Sequence, residues 1–240
     1  MPDELPDSIK SKLPTPTENA VDVAKLVTGV TAAVAGIWFP PAAIAAAVLP
    51  IVIDRYVNLP REILLKELQQ GNVRDLSAEQ LAPFVPMAYK FLEAAKEGEY
   101  EHNLEMLAAY LAGEMKQEIP DAASFSRMVR RVEGLSNVDL QVMALIDASL
   151  SSSSTITIAT DEPPHAERPY VSASFLKESP HNTHRLTRRV IAESLADLAA
   201  RGFLLADAAT RADKAEEYYY GTGNLEHLMD RARGRIKSVG

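Results

Sequence analysis

Two groups of side chains have the types and spacing that chemistry needs. Glu99 and His102 form a Glu-x-x-His pair, with Glu101, Glu105, Glu114 and Glu118 nearby in the chain. That is half the ligand set of a carboxylate-bridged two-metal centre, which requires a matching pair on another helix. The other such spacing, Glu178 with His181, has Pro180 between its members and so falls in a turn. The acidic run therefore reads as a solvated helix face, and no metal or cofactor is expected. Ser151 to Ser154 lack the strand-turn-helix setting that exposes a nucleophilic hydroxyl, and read as a connector. No catalytic residue is assigned, and a non-enzymatic protein is expected. The second group is basic: His184, Arg185, Arg188 and Arg189 lie within one short stretch. Their chemistry suits phosphate contacts and arginine readout of guanine.

The whole chain argues for restraint about that stretch. Over 240 residues the net charge is −8, with 47% apolar and 24% charged side chains. This is ordinary globular composition, enough for a core. Wholesale phosphate binding or attraction to anionic lipid would need a basic balance. Residues 137–240 carry 12 basic and 14 acidic side chains, a net of −2. Cysteine is absent, which removes disulfides, thiolate nucleophiles and thiolate metal sites. The first 25 residues hold five acids and three lysines, and so do not read as a secretory leader.

From Leu26 to Ile53 no residue is charged, and a run of about 18 or more such residues is the usual flag for a membrane span. Pro40-Pro41 interrupts it, so two helical pieces near 22–39 and 42–57 are expected, a hairpin rather than one rod. Gly29 with Ala33, and Ala32 with Gly36, are four apart, a spacing that lets helix backbones approach closely. Trp38 and Phe39 stand where interfacial aromatics would. Self-association or membrane contact through this segment is expected, placing the protein in the cytoplasm or at the inner membrane. Burial in the fold is the competing outcome.

Ser77 and Gln80 make a capping box opening a helix towards Lys96, with Pro83 and Pro86 set to split or kink it. A helix over 99–118 follows, its apolar face made by Leu104, Leu107, Ala108, Leu111 and Met115. Ser124 is placed to cap a short helix ending at Gly134, and Ser136 with Asp139 opens the next. Beyond it come a strand over 155–160, a short helix near 172–178 and a helix starting near Thr183. Leu186, Val190, Ile191, Leu195 and Leu198 form the apolar stripe of that last helix. Leu205 and Tyr220 fall in two strands able to pair as a hairpin, and Asn224 is placed to cap a final helix. Helix, strand, helix, helix and hairpin is the order of a winged helix-turn-helix. The expected fold is therefore mainly α: a helical bundle with an N-terminal apolar helical hairpin and a C-terminal winged-helix-like α+β domain. Its expected parts are a flexible 1–20, an apolar 21–57, a bundle over 58–136 and the winged part over 137–240.

The chain from Leu59 to Leu150, and again from Val190 to Leu205, resembles the abortive-infection alpha family of bacterial proteins and related prokaryotic families. The pieces that carry the likeness are NLEMLAAYLAGEM (103–115), SFSRMVRRVEGLSNVDLQVMALI (124–146) and SLADLAARGFLL (194–205). A homo-oligomer built through the small-residue stripe and a phage-derived trigger are the expected partners, and the resemblance implies a role in defence against phage, by damaging or sensing at the host membrane. It supplies no functional residues. The alternative is a cytosolic winged-helix regulator that binds DNA through His184, Arg185, Arg188 and Arg189.

Overall fold

A computed structural model describes residues 21–38, 53–152, 170–210 and 215–239. The chain divides into two compact units, Met1–Gly134 and Leu135–Gly240.

In the first unit the two-residue strand β1 (Val21–Asp22) pairs antiparallel with β2 (Asp75–Leu76). Helix α1 (Val23–Trp38) starts directly after β1, where the Asp22 carboxylate accepts the N–H groups of Ala24 and Lys25. These are two of the orphan donors that any helix start must satisfy. Val23, Leu26, Val27, Val30 and Val34 give α1 a buried face, which packs on α2 (Leu59–Gln70) and α3 (Ala78–Lys96). A π-helical turn over Asp54–Asn58 leads into α2. The second apolar piece expected over 42–57 and the aromatic Phe39 lie outside the described residues, apart from this turn. Among the described residues no helix is long and apolar enough to cross a membrane.

The capping box opens α3 as read: Ser77 Oγ accepts from Gln80 N, and Gln80 Oε1 accepts from Ser77 N. The prolines do not split it. Pro83 and Pro86 both lie inside one continuous helix. Each removes a ladder hydrogen bond and costs on the order of 3 kcal/mol. The offset comes from burial of Phe84, Met87, Phe91 and Leu92, at roughly 1.5–3 kcal/mol per large side chain. Helices α4 (Glu101–Glu114) and α5 (Ala122–Val132) complete the bundle. Leu104, Leu107, Ala108, Leu111 and Met115 are all buried. The cap of α5 is Asp121, whose carboxylate takes the N–H groups of Ala123 and Ser124. Ser124 is therefore inside the helix, because the carboxylate three residues earlier claims the orphan donors.

The second unit opens with α6 (Asn137–Ser152). Asp139 is its anchor: Oδ2 accepts from Ser136 N (2.8 Å) and Ser136 Oγ (2.6 Å), while Oδ1 accepts from Ser194 Oγ at 2.6 Å. A local cap is thereby tied to α8 (Arg188–Ala200), far along the chain. The strand expected over 155–160 lies outside the described residues. The strand that enters the sheet is β3 (Tyr170–Val171), followed by α7 (Ala173–Glu178). After α8, Gly202 (φ 77°) turns the chain, with Phe203 N donating to Leu198 O. Strands β4 (Leu204–Thr210) and β5 (Ala215–Gly221) pair antiparallel with Leu205 opposite Tyr220, and β3 pairs with the other edge of β5, so the order is β3-β5-β4. The last helix, α9 (Gly223–Val239), is capped by Thr222, whose Oγ1 accepts from Asn224 N. The Asn224 side chain instead donates to Gly202 O. The core of this unit includes Val142, Met143, Leu176, Ile191, Leu195, Leu198, Phe203 and Leu228.

Candidate nucleic-acid interface

The basic stretch is held by local hydrogen bonds. Between α7 and α8 the chain makes a compact turn fastened by Asn182. Its Nδ2 donates to the carbonyls of Lys177 and Leu186 (both 3.1 Å), and its Oδ1 accepts from Leu186 N at 2.9 Å. A carboxamide can do all of this because it carries donors and acceptor on one planar group. Arg185 sits inside that clasp with φ 52°, in the left-handed region that non-glycine residues rarely adopt. Thr187 then caps α8 by accepting from Val190 N.

The helix therefore begins at Arg188, five residues later than the sequence suggested. His184 and Arg185 belong to the turn in front of it, while Arg188 and Arg189 fill its first two positions. All four side chains are exposed. Arg189 pairs with Glu193 at 2.8 Å, with both side chains open to water (87% and 63% exposed). The carboxylate raises the guanidinium pKa still further, through its hydrogen bond first and its charge second. An exposed pair of this kind is screened and contributes little. Lys177, Arg185, Arg188 and Arg189 stand against the single acid Glu178 between residues 177 and 189, a local net of +3 in a unit whose net is negative. A helix N-terminus already carries partial positive charge, so the two arginines in the first turn of α8 add to it, with Glu193 offsetting Arg189.

The other residues singled out in the sequence take different surroundings. On α1, Gly29, Ala32 and Gly36 are exposed, but Ala33 is buried, so the pair Gly29–Ala33 does not share one outer face. A Cβ added at Gly29 would meet nothing within 4 Å. Trp38 is half-buried beneath the Lys96 ammonium, 5.0 Å from its ring centroid. Glu99 holds the first unit together: its carboxylate accepts from Tyr100 N, Asn103 Nδ2 and Gly134 N, joining the start of α4 to the end of α5. His102 stacks on Tyr100 with ring centroids 5.4 Å apart. Among the described residues no group of three or more histidine and carboxylate side chains is placed to hold a metal ion.

What sequence reasoning missed here is Asn182. The signal was present as an Asn between two short helical patterns, a residue type that bonds its own backbone neighbours in turns. Compared with known proteins, the chain matches no family model, no curated protein and no solved structure.

Proposed function

We propose that the C-terminal unit is a winged-helix-like module that grips duplex nucleic acid, and that the protein acts by binding, without catalysis. The observation that carries this reading is the cluster of exposed cations on the turn before α8 and on its first two positions. The element order α6, β3, α7, α8, β4, β5 and the strand order β3-β5-β4 support it. In such an arrangement the helix after the turn meets the groove and the hairpin lies beside it. Phosphate oxygens would take up the N-terminal positive end of α8 together with Arg188 and Arg189, while Arg185 and His184 reach from the turn. The Asn182 clasp pre-arranges these groups, which lowers the ordering cost of binding. With Glu193 beside Arg189 and a net-acidic unit around them, the affinity expected is modest and strongly dependent on salt.

The test is fluorescence anisotropy of the full chain on a labelled duplex across a salt series. Each phosphate neutralised adds about 0.9 to the slope of log affinity against log salt. Replacing Arg185, Arg188 and Arg189 together by Ala should therefore flatten the slope by about 2.7. Absence of binding by the natural chain at low salt, or an unchanged slope in the triple variant, removes the reading.

A second reading concerns α1, whose outer face presents Thr28, Gly29, Ala32 and Gly36 to solvent. Small side chains there allow a second copy to approach closely, which fits the phage-defence role implied by the resemblance. Replacing Gly29 and Gly36 by Leu should then lower the assembly state seen by sedimentation and reduce recovery in carbonate-washed membranes. An unchanged sedimentation profile and unchanged membrane recovery would exclude that role for α1.

A further inference from the structure

Helix α8 presents one narrow outer stripe. Arg189, Glu193, Ala196 and Ala200 are exposed, and at four, three and four residues apart they lie on one face. The other polar side chains beyond its first turn are engaged within the unit: Ser194 donates to Asp139, and Asp197 pairs with Arg201. Past Arg189, Glu193 is therefore the last side chain of the stripe with hydrogen-bonding atoms, and its carboxylate accepts from Arg189 Nε at 2.8 Å. It stands about 6 Å further along the axis than Arg189, with only alanine methyls beyond it. Short side chains there let the helix sit low in a groove about 12 Å wide. Phosphates that draw off Arg189 leave the Glu193 carboxylate facing base edges without its partner. A carboxylate beside a polyanion weakens binding at every sequence, unless a base edge donates to it. In the major groove guanine and thymine offer acceptors, while cytosine and adenine offer amino groups. The adenine amino group lies between two acceptors, its own N7 and the thymine O4, whereas that of cytosine has a C–H on one side. Cytosine is the better donor to a carboxylate.

We infer that Glu193 sets base specificity, so that the module's substrate is duplex DNA carrying a C·G pair at the position Glu193 meets. The inference rests on the nucleic-acid reading and adds to it a sequence preference and a choice of DNA over RNA. The major groove of duplex RNA is too deep and narrow for side chains to read.

The experiment selects sites from a pool of random DNA duplexes with the full chain, then measures anisotropy on four duplexes that differ only at the selected position. Cytosine should be preferred there by roughly fivefold or more, the lower bound for a good base contact. Glu193→Gln should move the preference to adenine, whose N6 and N7 a carboxamide pairs with. Glu193→Ala should bind all four about equally, and the disfavoured ones more tightly than the natural chain does. The selected site as duplex RNA should not compete. Both variants change an exposed side chain, so an unchanged melting temperature is expected; if one variant does not fold, the other decides. Selection without a cytosine position, a cytosine preference that survives in either folded variant, or equal competition by the RNA overturns the proposal while leaving duplex binding in place. No binding to any duplex removes the nucleic-acid reading and this proposal together.

Discussion

Removing Ser194 Oγ gives a sharp test of how the second unit is held together. The hydroxyl is buried (4% exposed) and donates to Asp139 Oδ1 at 2.6 Å, while the other oxygen of that carboxylate takes two donors from Ser136. A hydrogen bond to a charged acceptor contributes about 1.5–3 kcal/mol, so Ser194→Ala should cost that much. Asp139→Ala removes all three bonds to its carboxylate, the return arm of the Ser136 cap among them, and leaves a buried hydroxyl without its acceptor, for about 3–5 kcal/mol. The decisive quantity is the double variant. With Asp139 already gone, Ser194→Ala removes an orphaned polar group and should cost nothing further, giving a coupling of about 1.5–3 kcal/mol. Urea unfolding followed by circular dichroism measures the three energies, and amide exchange in α6 and α8 localises the effect. At roughly 4 °C per kcal/mol for a unit of this size, Ser194→Ala alone should lower the melting temperature by roughly 6–12 °C. If Ser194→Ala costs the same with and without Asp139, to within about 0.5 kcal/mol, the bond does not join the two helices and the account of this unit fails.

Two further predictions rest on single side chains. Burial, and then the hydrogen bond from its hydroxyl to Glu217 Oε2 (2.5 Å), push the Tyr219 pKa from 10.0 up to about 12. The folded state thus holds this proton more tightly than the unfolded one, so its contribution is complete below about pH 10 and is lost as pH rises to about 12. Burial also raises Tyr89 and Tyr170, so phenolate absorbance should show a late-titrating fraction from which Tyr219→Phe removes one phenol; an unchanged titration would refute the assignment. The same Gly→Ala change should have opposite signs at two positions. At Gly29, where an added Cβ meets nothing within 4 Å, it should stabilise by about 0.5–1 kcal/mol through helix propensity. At Gly71 the Cβ would lie 3.2 Å from Glu67 O and 3.3 Å from the Ala112 Cβ, so a loss of about 1 kcal/mol is expected from overpacking. Thermal melts that move both variants in one direction would show that local space does not decide the sign.

Patterns set by nearest neighbours were the readable ones. The Ser77–Gln80 box, the Ser136–Asp139 start and the 3–4 spacing of Leu104, Leu107 and Leu111 are each complete within a few residues, and each is present as read. Errors arose where a competing partner sat just outside the window. Asp121 displaced Ser124 as a cap, Thr222 displaced Asn224, and Asn182 delayed the start of α8 until Arg188. The continuity of α3 through Pro83 and Pro86 came from tertiary burial of Phe84 and Phe91, which no local rule contains. The strand β3 was unreadable for a related reason: Tyr170 and Val171 form only two residues of ladder, defined by Tyr219 and Tyr220 far along the chain. At the basic site the residue types were legible, but their division between turn and helix was not.

The ring of Trp38 against Lys96 has an optical consequence. This chain has one tryptophan, and it lies in the first unit. Light absorbed only by indole therefore reports on that unit alone. The second unit holds four tyrosines on its sheet, with Tyr170 and Tyr218 set edge to face at 5.1 Å. The first unit holds the other four tyrosines, Tyr56, Tyr89, Tyr100 and Tyr110, so loss of indole emission times the first unit alone, and loss of far-ultraviolet ellipticity times the helices of both. Whether these two clocks run together or apart is the direct measure of whether the halves of this protein open as one body or as two.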